Sequence, residues 1–163
     1  MNFEFDIIVK ASIVGVGGTV ALDAWAAMLH YLLGTPATNW AMVGRWLAHM
    51  PGGKFHHEDM AAVAPVRGEA VIGWVFHYGI GIGYGLLLVA VTGVGWLHTP
   101  TIPPAVLLSL VLLVAPFFVM MPGLGLGLAG AKTPDPNLTR LKSVLGHTMF
   151  GLGMYATALA LPA

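Results

Sequence analysis

The chain has 163 residues, of which 57% are hydrophobic and only 9% charged, with seven Lys and Arg balancing seven Asp and Glu. A water-soluble domain carries about 25% charged residues, so lipid is the expected main solvent, and the neutral balance excludes a basic surface for nucleic acid. The absence of cysteine excludes disulfides, iron–sulfur clusters, thiolate zinc sites, covalent c-type haem and thiol catalysis.

A bilayer core about 30 Å thick is crossed by roughly 20 apolar residues in a helix. Four segments qualify, at about 7–33, 69–97, 104–121 and 141–161. Helices are required because a backbone in lipid must satisfy its own hydrogen bonds. The predicted fold is therefore all-α: a single transmembrane domain over residues 1–163, built as a four-helix bundle. Glu4 and Asp6, not a basic segment, precede the first apolar stretch. With no small-residue cleavage site after it, no cleavable secretory signal is expected.

Between the first two spans, Thr38 or Asn39 can cap a helix with Trp40, Val43, Trp46, Leu47 and Met50 along one side. Arg45 and His49 fall off that stripe. The pattern predicts an amphipathic helix lying in the cytoplasmic membrane interface, with its tryptophans at headgroup depth. His56, His57, Glu58 and Asp59 follow. They have no recognised metal-ligand spacing and read as a solvated turn after Pro51, Gly52 and Gly53.

In the second span, Gly79, Gly81, Gly83 and Gly85 form two overlapping small-xxx-small pairs, suited to close helix packing within the bundle or to a homodimer. The third span is broken by Pro116 and Pro122 and runs on through Gly123, Gly125, Gly127 and Gly130 to Lys132. Either a kinked helix ends near Met121 and an apolar loop follows, or residues 122–131 unwind inside the protein. Arg45, Lys54 and Arg67 fall in one long loop, Lys132, Arg140 and Lys142 in or beside the other, and Lys10 alone on the opposite side. Lys and Arg mark cytoplasmic loops, so both long loops are expected inside and both termini in the periplasm.

Ionisable side chains within lipid cost several kcal/mol unless they face protein or water, and so mark function. At 1.5 Å per residue from the cytoplasmic boundary, Asp23 lies roughly 15 Å, His77 roughly 13 Å and His147 roughly 10 Å inside. A second layer nearer that boundary holds His30, Glu69 and Arg140. The two layers predict a polar funnel open to the cytoplasm, with at least one carboxylate–imidazole hydrogen bond. Each residue also has a structural reading. Asp23 can lock helices together, the histidines can donate to backbone carbonyls, and Glu69 and Arg140 can anchor helix ends, Glu69 with the help of the helix dipole.

No nucleophile elbow, phosphate loop or dinucleotide fingerprint is present, so the expectation leans away from an enzyme. The leading expectation is a membrane protein whose Asp/His cluster binds or passes a small ligand, ion or proton, with the histidines titrating near neutrality. One alternative is a structural or assembly subunit of a larger membrane complex. Another is a redox or metal protein. There His77 and His147 would serve as axial ligands of haem b, with Gly81 and Gly151 making room, or Met120, Met121 and Met154 would hold Cu(I).

Asp23 with Trp25, Gly44-Arg45-Trp46, Glu69, Gly73-Trp74, His77-Tyr78 and Trp96 with Pro100-Thr101 recur in one order. Ala115-Pro116-Phe117, Pro122, Thr133-Pro134-x-Pro136, Arg140 and His147 through Gly151 to Tyr155 complete it. In this order the chain resembles an uncharacterised family of small bacterial inner-membrane proteins, a domain of unknown function. The resemblance covers nearly the whole chain. It implies a four-span membrane protein and no particular activity. Met121 stands where the family pattern has a glutamine, which would make a polar site there drier or softer.

Overall fold

The computed structural model describes residues 3–162, and among these every regular element is helical. The chain ends at residues 1–2 and 163, expected in the periplasm, lie outside the described residues. Seven α-helices follow in order: α1 Phe3–Leu33, α2 Trp40–His49, α3 Glu69–Thr92, α4 Gly95–His98, α5 Ile102–Val111, α6 Met121–Gly123 and α7 Pro136–Ala160. Three stretches are long and apolar enough to cross a membrane: Glu4–Leu33, Glu69–Thr92 and Ile102–Gly123. Helix α7 has the length, at 25 residues, but Lys142, Ser143, His147 and Thr148 make its first half more polar.

The residues gather into two compact units. One contains the described parts of Met1–Ala37, Tyr78–Val111 and Leu145–Ala163, the other Thr38–His77 and Leu112–Val144. The first unit packs backbone on backbone. A Cβ on Gly15 would collide with the Gly81 carbonyl, and one on Gly85 with that of Ala11, so α1 and α3 touch along a glycine seam. Gly153 meets Ala21 in the same way, bringing α7 against α1, and a Cβ on Gly151 would sit 2.7 Å from Val106 Cα of α5. Val14, Leu88, Ala105, Phe150 and Met154 fill the core between these contacts. Gly79 and Gly83, the other small-residue pair, meet nothing.

Two local features shape the second and third segments. The second segment is not one helix to residue 97. Gly93 adopts φ 84° and its N–H bonds to Val89 O at 2.8 Å, closing α3 in the left-handed conformation that glycine favours. The one-turn α4 follows. In the third segment Pro116 has no N–H to continue the ladder. Ala115 N donates to Leu112 O, and Met121 N donates five residues back to Pro116 O, so residues Pro116–Met120 widen into a π-turn.

In the second unit Asn39 caps α2 by accepting from Met42 N at 3.1 Å. The apolar stripe of α2 is covered by protein: Trp46 is only 3% exposed and packs with Val43, Met60 and Leu124. Trp46 thus occupies a core position, and its indole N–H donates to Phe55 O at 2.8 Å. The glycine-rich stretch after Pro122 forms tight turns in the same unit. It is tied to residues 57–60 by His57 N to Gly123 O (3.0 Å) and Met60 N to Leu124 O (3.2 Å). Asp135 then caps α7 by accepting from Leu138 N at 3.0 Å.

Candidate functional site

In the first unit Asp23 sits in the middle of α1, half-buried and flanked by apolar neighbours. The Tyr78 hydroxyl of α3 donates to its Oδ2 at 3.0 Å. The phenol is the donor and the carboxylate the acceptor of this bond, which joins the apolar helices α1 and α3. Trp25, two residues on, has a buried indole N–H with no hydrogen-bond acceptor among the described residues. His147 belongs to the same unit and is half-buried on α7. His30 is exposed at the end of α1, where its Nδ1 lies 3.0 Å from Thr35 O. A carbonyl only accepts, so that nitrogen carries the proton.

In the second unit His77 is 9% exposed and lies flat against Trp40, with ring centroids 3.9 Å apart and planes at 22°. Trp74 meets the same imidazole edge-on at 5.7 Å. The first residue of α2 is thereby clasped to α3. Behind this contact α2 and α3 approach very closely: a Cβ on Gly44 would collide with Glu69 O, and one on Gly73 with Trp40 O.

That approach brings Arg45 onto Glu69. Arg45 Nε donates to Glu69 Oε2 at 2.8 Å and Nη2 to Oε1 at 2.9 Å, a bidentate pair. Nη1 donates to Val63 O at 2.6 Å and Met60 O at 3.4 Å, and Glu69 Oε2 accepts Val66 N at 2.8 Å. The hydrogen bond to Glu69 pushes the Arg45 pKa up and fixes its charge. One guanidinium thus organises the loop from Met60 to Val66 and the start of α3. Glu69 is engaged in holding that loop. Arg140 plays a similar part at the start of α7, with Nε donating to Ala129 O at 3.1 Å and Nη1 to Asn137 Oδ1 at 3.4 Å.

Of the six residues singled out from sequence, Asp23, His30 and His147 belong to the first unit, and Glu69, His77 and Arg140 to the second. The side chains that the sequence reading named but did not place at a site are Tyr78, Trp40 and Arg45. Tyr78 follows His77 directly in α3. Arg45 was visible as a cation breaking an apolar stripe, with Glu69 the acid at the head of the next span.

No curated protein and no solved structure matches the chain. The family model described as "Protein of unknown function (DUF2938)" matches residues 12–161, and the chain belongs to that family.

Proposed function

We propose that the protein spans a bacterial inner membrane four times and uses an intramembrane polar site to bind or pass a small ligand, ion or proton. The fourth span in this reading is α7, whose 25 residues extend about 37 Å at the helical rise. The distribution of cations supports the orientation. Arg45, Lys54, Arg67, Lys132, Arg140 and Lys142 all fall in the second unit, while the first has only Lys10, paired with Asp6 at 3.2 Å. The two long loops that carry these cations would face the cytoplasm and the termini the periplasm.

The observation that carries the functional reading is the Asp23–Tyr78 hydrogen bond in apolar surroundings. Intramembrane carboxylates with hydrogen-bonding partners are the working groups of proton relays and ion pathways. Asp23 would hold or hand on the cation or proton, with Tyr78 orienting its carboxylate. His147, on α7 of the same unit as Asp23, would extend the path. Reconstitution into vesicles loaded with a pH-sensitive dye tests this. Under an imposed potential the wild-type protein should admit protons, and Asp23→Asn should fall to the rate of protein-free vesicles. An Asp23→Asn variant as fast as wild type would overturn the reading.

A second reading, an assembly subunit, is favoured by Gly79 and Gly83, which lie exposed on α3 with nothing within 4 Å of an added Cβ. Such a face suits a second membrane helix. Crosslinking through Gly79→Cys in native membranes would distinguish it, giving a discrete adduct if the face is occupied and none if it meets lipid.

A further inference from the structure

We propose that His49 and His57 are the imidazole ligands of a Cu(I) site in the second unit. His49 is the last residue of α2, and the chain turns back at once. Gly53, at φ 77°, donates to Met50 O at 2.8 Å, and Lys54 N reaches His49 O at 3.3 Å. His57 is fixed from the other direction. Its N–H donates to Gly123 O at 3.0 Å, and Gly125 lets the two strands of chain close up, since a Cβ there would stand 2.8 Å from His57 O. Its neighbours His56 and Glu58 are exposed, whereas His57 is turned inward.

The two imidazoles meet with centroids 5.4 Å apart and planes at 65°. His49 Nε2 and both ring nitrogens of His57 are shut off from solvent, and none has a hydrogen-bond partner among the described residues. Buried polar atoms are almost always satisfied, and exceptions call for a bound water or ion. A neutral imidazole offers one lone pair. With bonds of about 2.0 Å, two rings on one ion have centroids roughly 6 Å apart when linear and roughly 5 Å apart when bent to a tetrahedral angle, so the observed 5.4 Å fits a bent pair that leaves room for a third ligand.

The donor set selects the ion. Zinc in structural sites takes four ligands, and no group of three or more His, Asp and Glu suited to a metal occurs among the described residues. Two bent imidazoles joined by one thioether suit an ion content with three ligands, which Cu(I) is. Met42, Met50, Met60 and Met120 belong to the apolar cluster of the same unit, and thioethers favour Cu(I) over harder ions. The site uses neither Asp23 nor the His77–Trp40 stack, so it is independent of the transport reading.

The test is an anaerobic titration of the purified full-length protein with Cu(I) against a chromogenic Cu(I) chelator. The wild type should retain one equivalent, and His49→Ala and His57→Ala should each lose it. Retention by either variant, or no retention by the wild type, would overturn the proposal. If a variant fails to fold, X-ray absorption of the copper-loaded wild type decides. Imidazole scattering supports the site, and a first shell of sulfur alone overturns it. Zn(II) added alone should bind more weakly than Cu(I), and tighter Zn(II) binding would also overturn the assignment.

Discussion

Gly73→Ala and Gly79→Ala place the same methyl group on the same helix, two turns apart, in opposite surroundings. At Gly73 the added carbon would overlap Trp40 O, stand 2.6 Å from Trp40 C and 3.2 Å from Gly44 N, all of them backbone atoms of α2. Backbone cannot swing aside, so α2 must retreat until the 2.6 Å contact reaches the 3.4 Å of ordinary packing. A gap of about 0.5–1 Å forfeits a quarter to a half of the van der Waals attraction across a contact, and overpacked cores lose about 1–3 kcal/mol. At Gly79 nothing lies within 4 Å, and alanine gains about 1 kcal/mol in helix propensity. Propensity is common to both positions, so it cancels in the difference. Gly73→Ala should be less stable than Gly79→Ala by at least about 1–3 kcal/mol, or roughly 5- to 150-fold in the unfolding equilibrium. Reversible denaturation in mixed micelles, followed by tryptophan fluorescence, measures both. Equal stability of the two variants would refute the close approach of α2 to α3.

Arg45→Lys keeps the charge but loses the planar fork that grips Glu69 and two carbonyls at once. The loop it organises should loosen, and trypsin should cut faster at Lys54 and Arg67 than in the wild type; an unchanged digestion rate would mean that other contacts hold the loop. Tyr78→Phe removes the donor to Asp23 without changing ring volume. Proton entry in the vesicle assay should slow while the purified protein keeps its stability, and an undiminished rate would leave Tyr78 without a part in the path. For topology, cysteines introduced at positions 2 and 163 should react with impermeant thiol reagents from the periplasm. Lys54→Cys and Lys132→Cys should stay protected, and the reverse pattern would invert the proposed orientation.

The helices were largely legible because apolar runs of this length leave the backbone no alternative in lipid. Their ends were less so. Helix α7 begins at Pro136, ahead of the expected residue 141, because Asp135 caps a polar first turn that hydropathy ignores. Helix α3 stops at Thr92 although residues 93–97 are as apolar as those before. The stop lies in the left-handed φ of Gly93, one glycine among several in that helix. Helix α2 falls where the sequence suggested a helix, but a stripe of Val43 and Trp46 looks the same whether lipid or protein covers it. Only the fold reveals Met60 and Leu124 as its partners. The same holds for the polar residues. Depth along a helix follows from counting, whereas the partner does not. Tyr78 lies 55 positions from Asp23 and Arg45 lies 24 from Glu69, and helical phase within one element says nothing about a neighbour's phase.

The order of segments in the first unit has a kinetic consequence. Its core joins Val14 from the first helix to Met154 and Ala158 from the last. Met154 leaves the ribosome 140 residues after Val14. Gly17, Gly18 and Ala21 of α1 wait for Thr157, Met154 and Gly153 of α7, so this core cannot close on the nascent chain as an N-terminal domain does. Until α7 arrives, the small-residue face of α1 stays open to lipid or to any passing helix. Cells making this protein fast should accumulate the half-built form, a natural target for quality-control proteases that recognise an unsealed membrane helix.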